Sequence, residues 1–108
     1  MPKTKLKVRI DNTEYIVNYS IDKEIISYKE LDNTLVNYDL DKNILIRDND
    51  EIHMIYDFNN KTGSILIKEM DRELELSIEN IDIERNKNNV RVSYTIENND
   101  FLYELEEL

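Results

Sequence analysis

Asn43–Met70 reads NILIRDNDEIHMIYDFNNKTGSILIKEM, three short apolar runs parted by Asp48-Asn49-Asp50 and by Asn59-Asn60-Lys61-Thr62-Gly63. Within it Ile52, Met54, Tyr56 and Phe58 alternate with His53, Ile55 and Asp57, the two-residue repeat of a strand that turns one face to a core. Asn59 to Gly63 reads as a turn, and Gly63, the only glycine of the chain, is expected to supply a positive φ there. Ser64 to Met70 leaves that turn as a second strand, and Asn43 to Arg47 enters through Asp48, Asn49 and Asp50. Two linked hairpins are predicted.

The same rhythm extends in both directions. Lys3 to Ile10 alternates Leu6, Val8 and Ile10 with Lys5, Lys7 and Arg9, and Glu14 to Ile21 repeats the pattern with Tyr15, Val17, Tyr19 and Ile21 before Glu24 to Glu30. Asp11-Asn12, Asp22-Lys23, Asp32-Asn33 and Asp41-Lys42 punctuate at roughly ten-residue spacing, as an all-β meander requires. Further on, Leu74, Leu76 and Ile78 hold even positions whereas Ile81 and Ile83 hold odd ones, so the apolar face changes phase around Asn80 and a bulge or short break is expected. Val90, Val92, Tyr94 and Ile96, then Phe101, Tyr103 and Leu105, make the last two one-sided runs. Residues 21–28 behind Ser20 and 101–108 behind Asp100 also fit a helical stripe; alternation and residue type favour strand for both.

Some ten strand-like runs are too many for one small flat sheet. The fold expected is an antiparallel meander closing into a small β-barrel of about 8–10 short strands. Closure pairs the first strand with the last and sets Lys5, Lys7 and Arg9 against Glu104 and Glu106. The inward phase gathers Tyr15, Tyr19, Met54, Tyr56, Phe58, Tyr94, Phe101 and Tyr103, so the interior is expected to be largely full, with at most a shallow mouth at one end.

At 108 residues the chain makes one domain. Alanine and glutamine are absent, while Ile, Val, Tyr and Asn abound, a mixture that favours strands and turns. The formal charge of −10 repels phosphate backbones and anionic lipid, which argues against nucleic-acid and membrane partners. Without cysteine there is neither a disulfide framework nor a thiolate metal site. No apolar run approaches a bilayer span and no signal-peptide core is present, so the expected location is the cytoplasm. Asn18-Tyr19-Ser20 and Asn60-Lys61-Thr62 then match the glycosylation pattern by chance.

Chemistry-bearing candidates are few. His53, the only histidine, falls on the face opposite Met54, Tyr56 and Phe58 and reads as a surface residue. Asp48, Asp50 and Glu51 suggest oxygen ligands for calcium, but the EF-hand pattern fails, with no glycine at the sixth place and Asn59 at the twelfth. One glycine cannot build a phosphate loop. Arg47 ends the run Ile44-Leu45-Ile46, where an arginine serves as a rim salt bridge or as an anion anchor.

IRDNDEIHMIYDF, the KTG turn, VRVSYTI and the YELE terminus together resemble the YwiB-like family of small bacterial proteins of unknown function, over about Tyr19 to Glu106. The family pattern is an Ile-Arg pair, a turn, then Met-x-Met-x-Phe. Arg47, Met54 and Phe58 match it, and Tyr56 stands where the second methionine would be. Ser27-Tyr28-Lys29-Glu30 looks like the family's aromatic-acidic strand end. Asp48-Asn49-Asp50 and Met70-Asp71-Arg72 depart from it, since the family has glycine-containing turns there. The resemblance implies a calycin-like, lipocalin-related barrel and brings no activity and no catalytic residues. The reading that results is a non-enzymatic barrel without metal or cofactor, which binds a small apolar ligand at its mouth or a protein partner on an outer face. Arg47, Met54, Tyr56 and Tyr94 are the candidate ligand contacts. The alternative is a structural or interaction protein whose barrel holds only its own side chains.

Overall fold

The computed structural model describes residues 5–108; Lys3, where the sequence pattern begins the first strand, lies outside the described residues. Eleven strands follow one another: β1 (Lys5–Ile10), β2 (Thr13–Asp22), β3 (Ile25–Lys29), β4 (Leu35–Asp39), β5 (Ile44–Asp48), β6 (Ile52–Asp57), β7 (Thr62–Ile67), β8 (Arg72–Ser77), β9 (Glu79–Asn86), β10 (Asn89–Ile96) and β11 (Asn99–Glu107). The two segments with a helical alternative are strands, and no helix occurs among the described residues.

Turn chemistry explains how so many strands fit a chain with one glycine. Asp11, Asn33, Asn43, Asp71, Asn80 and Asn98 all carry positive φ, as do Lys23, Glu24, Lys61 and Glu97. Asn and Asp tolerate that region better than other L-residues, because their short side chains bond to the local backbone. Gly63 is not among these residues: its φ is not positive, and it lies within β7, opposite Tyr56. The expected turn glycine is therefore corrected, and Lys61 (φ 60°) makes the turn instead. A Cβ on Gly63 would lie 3.0 Å from Cδ1 of Tyr56. Glycine is there because a tyrosine ring covers the strand.

The sheet order is β8-β7-β6-β5-β4-β3-β2-β1-β11-β10-β9, a meander in which first and last strands pair. Ten antiparallel steps separate β8 from β9, an even number, so the two run in the same direction. Only the buried Ile78 parts them. They are two halves of one long strand, the first paired with β7 and the second with β10, and through it the sheet becomes a nearly closed barrel. Within β9 the register slips: Ser93 faces Asp82 and Thr95 faces Glu79, leaving Asn80 and Ile81 opposite Tyr94. This is the bulge expected from the change of phase.

Closure follows the charge pattern in register. Lys7 stands opposite Glu106 and Arg9 opposite Glu104. Only the first of these becomes an ion pair, at 3.9 Å, while Arg9 leans to Glu14 at 3.9 Å on the other neighbour. Inside, the expected aromatic residues all lie in the core or pack against it, joined by Tyr28 and Tyr38. Tyr94 stacks on Phe101 at 5.5 Å and meets Phe58 at 5.1 Å and Tyr56 at 5.9 Å. The barrel is filled by its own rings and aliphatic side chains.

Candidate functional site

Besides the seam at β8 and β9, the barrel parts between β2 and β3. Their hairpin turns on Lys23 (φ 50°) and Glu24 (φ 69°), the conformation of a two-residue I′ turn. Pairing runs from Asp22 opposite Ile25 to Tyr19 opposite Tyr28 and stops there. β2 continues back to Thr13, paired with β1 alone. Meanwhile β3 ends at Lys29 and the chain swings through residues 30–34, held by Glu30 N–H to Thr34 O (2.9 Å) and Asn33 N–H to Glu30 O (3.0 Å). The Thr34 N–H also donates to Oδ1 of Asp32 at 3.1 Å, and Thr34 itself is buried.

Three polar side chains fill the floor of the gap. Arg47 lies in register between Val36 and Met54, both buried, so its side chain belongs to the inner face. Its Nη2 pairs with Oε1 of Glu30. The Tyr15 hydroxyl donates to the other oxygen, Oε2, at 2.5 Å. Beneath them the Tyr28 and Tyr103 hydroxyls share a hydrogen bond of 2.7 Å. Nε of Arg47 is buried without a hydrogen-bond partner, which an arginine seldom tolerates.

Burial governs the electrostatics. It pushes the Tyr15 phenol up, assisted by the Glu30 carboxylate that accepts its hydrogen bond. Burial also raises Tyr28, to about 12, against the hydrogen bond from Tyr103, which favours ionisation. Tyr103, fully enclosed, rises well above the usual phenol range. For Arg47 burial acts downward, but the hydrogen bond and charge of Glu30 outweigh it, and the guanidinium remains cationic. At neutral pH the cluster is thus a neutral ion pair with protonated phenols, suited to holding polar atoms in place.

Above this floor lies an open groove of about 410 Å³ lined by Thr13, Glu14, Tyr15, Glu30, Leu31 and Asp32, with a mostly apolar surface. It shares Thr13, Tyr15 and Glu30 with a depression of about 510 Å³ that reaches Ile10, Asp11, Asn12 and Arg47. Leu31 at its lip is 96% exposed. A separate recess of about 100 Å³ lies among Leu6, Ile26, Leu40, Val90 and Leu105, beside the residue 87–89 turn.

The candidate contacts divide. Arg47 lines the mouth as a strand-end arginine should, and Met54 is its cross-strand neighbour, buried beside it. Tyr56 and Tyr94 touch each other edge to face deep in the aromatic cluster and line neither the groove nor the depression. Their phenols are raised by burial. Tyr15, Glu30 and Leu31 belong to the mouth and were absent from the sequence-based set. One signal was available: Glu30 continues the inward phase of Ile26 and Tyr28, as Arg47 continues that of Leu45, and two opposite charges in phase with a core call for each other. His53 sits on the outer face, its Nδ1 3.0 Å from Oδ1 of Asp48, which Lys68 also meets at 3.0 Å. No group of three metal-ligating side chains forms among the described residues.

The fold and mouth define the class, an antiparallel meander barrel with a filled interior and a polar-floored cleft. Comparison of the chain with protein-family models, with curated proteins and with solved structures finds no match to any of the three.

Proposed function

We propose that the protein is a non-enzymatic binding module that takes its ligand in the cleft between β2 and the residue 30–34 turn and leaves the barrel interior to its own side chains. The observation that carries this reading is the parting of β2 from β3 over a groove of ligand-pocket size, floored by Arg47, Glu30 and Tyr15. An apolar wall with a few convergent polar groups is the usual make-up of a binding site. No nucleophile or base in the floor is poised for a reaction, since its phenols are held neutral and its carboxylate is committed to Arg47 and Tyr15. The resemblance to the YwiB-like family of small bacterial proteins, carried by Ile46-Arg47 and Met54 to Phe58, supports a calycin-like barrel. The net charge of −10 disfavours nucleic acid and anionic membrane. A filled structural barrel is the rival reading, and the packed interior favours it over a lumen carrier.

The test is native mass spectrometry of the wild type and of Leu31→Asp, each purified from cells that make the protein, with amide exchange recorded on both. A bound mass carried by wild type and lost in Leu31→Asp, with exchange slowed at residues 13–18 and 30–32, is expected. An identical bare mass and identical exchange in both would leave the filled structural barrel.

A further inference from the structure

Closing residues of a two-residue hairpin face each other as a hydrogen-bonded pair, and the alternation continues from there. The turn at Asp11-Asn12 closes on Ile10 opposite Thr13, and the turn at Lys23-Glu24 closes on Asp22 opposite Ile25. Both ends give the same answer for β2: the backbone groups of Thr13, Tyr15 and Val17 turn to β1, and those of Glu14, Ile16 and Asn18 turn to the β3 side. β3 has left that side, because its ladder with β2 begins at Tyr19. The N–H and C=O groups of Glu14 and Ile16 therefore have no ladder partner in β3, and Glu14 lines the groove with Leu31 and Asp32.

From this we infer that the free edge of β2 takes up an extended, lysine- or arginine-bearing segment of another protein as an added strand. The inference rests on the cleft being the binding site. Alternating donors and acceptors at strand spacing are matched only by another extended backbone. Other edges of the sheet are defended: β8 carries Arg72, Glu73 and Glu75, and β9 carries the bulge at Asn80. β2 instead shows the solvent Ile16, 61% exposed, with no lysine or proline between Thr13 and Asn18.

Charge selects the occupant. Three carboxylates line the groove, and the cation in the floor beneath them, Arg47, is paired with Glu30. Glu30 is held by Arg47, and Glu14 lies 3.9–4.0 Å from Arg9 and Lys7, but Asp32 has no ion pair among the described residues. With −10 on the whole chain, a basic segment is drawn in and a second copy is repelled.

The experiment uses the isotope-labelled full chain with two synthetic peptides, acetyl-Lys-Val-Lys-Val-Lys-Val-amide and its glutamate counterpart, followed by NMR shifts, amide exchange and solution mass. The lysine peptide should slow exchange at Glu14 and Ile16 by about tenfold or more at saturation, and the glutamate peptide should leave both unchanged. Ile16→Pro removes one edge donor that the β1 ladder does not use, so it should abolish binding while Tyr15 and Val17 remain protected; Ile16→Thr should keep binding. Should Ile16→Pro fail to fold, exchange on wild type and Ile16→Thr decides alone. Peptide binding that Ile16→Pro leaves intact but Leu31→Asp weakens would overturn strand addition and keep the cleft. No response at residues 13–18 or 30–32 would overturn both. Edge protection without peptide, together with a dimer mass, would assign the edge to a second copy and overturn the basic partner.

Discussion

Replacing Gly63 by alanine tests whether a ring, rather than a backbone angle, requires the glycine. The added Cβ would stand 3.0 Å from Cδ1 and 3.3 Å from Cε1 of Tyr56, and 3.5 Å from Cδ1 of Ile78. Carbon atoms rest at about 3.5–4.0 Å, so the ring must yield by several tenths of an ångström. Tyr56 has little room to do so, being edge-on to Phe58 at 6.2 Å and to Tyr94 at 5.9 Å. Overpacking of this kind costs about 1–3 kcal/mol. The smaller conformational freedom of unfolded alanine returns about 0.5–1 kcal/mol, leaving a net loss of roughly 0–2.5 kcal/mol. Urea unfolding followed by far-UV circular dichroism measures it. In a Tyr56→Val background the ring is gone, and the same substitution should become stabilising by about 0.5–1 kcal/mol. Equal effects of Gly63→Ala in the two backgrounds, or a stabilisation in the wild type, would refute the reasoning, because contact between the two sites demands a coupling energy.

Glu30→Gln leaves Arg47 without its counter-charge. For side chains 12% and 30% exposed the expected loss is about 1–3 kcal/mol, below that of a fully buried pair because solvent screens part of it. Glu30→Gln with Arg47→Met should recover part of that loss in urea unfolding, whereas strict additivity would show that the pair does not act as a unit. All seven tyrosines are shifted upward by burial. With Tyr28 at about 12, the unfolded chain releases its proton near pH 10 while the folded chain keeps it. The stabilisation is complete below about pH 10 and is lost as pH rises toward 12, on the order of 2–3 kcal/mol from this residue. Tyrosinate absorbance should therefore rise together with loss of the far-UV strand signal; phenols that ionise near pH 10 in an intact barrel would contradict it.

The strand inventory was legible because side-chain alternation has period two and the turns carry Asn and Asp. Closure was legible from the opposite charges of the terminal strands, and the bulge from the phase change around Asn80. Gly63 was misread because glycine next to Asn59-Asn60-Lys61-Thr62 has the same appearance whether it frees a dihedral or admits a ring, and only the register with Tyr56 distinguishes the two. Tyr56 and Tyr94 look identical in sequence to mouth residues, since alternation assigns a face and says nothing of depth along a barrel. The length of β2 beyond its pairing with β3 could not be read either, because it depends on where β3 stops.

Arg47 and Glu30 explain why the opening is where it is. Continuing the β2–β3 ladder by its own register would set Val17 opposite Glu30 and Ile16 opposite Leu31. Glu30, in phase with Ile26 and Tyr28, would then carry its carboxylate inward beside an apolar residue, and an unpaired buried carboxylate is among the costliest groups a core can hold. Ending β3 at Lys29 and turning at Glu30 lets the carboxylate meet Arg47 and Tyr15 instead. The satisfied charge replaces backbone pairing as the bond across the gap. It leaves the edge of β2 open to solvent and throws Leu31 outward on the turn. The two in-phase charges thus lie in the floor of the cleft, and β2 and the residue 30–32 turn that Glu30 begins make its walls.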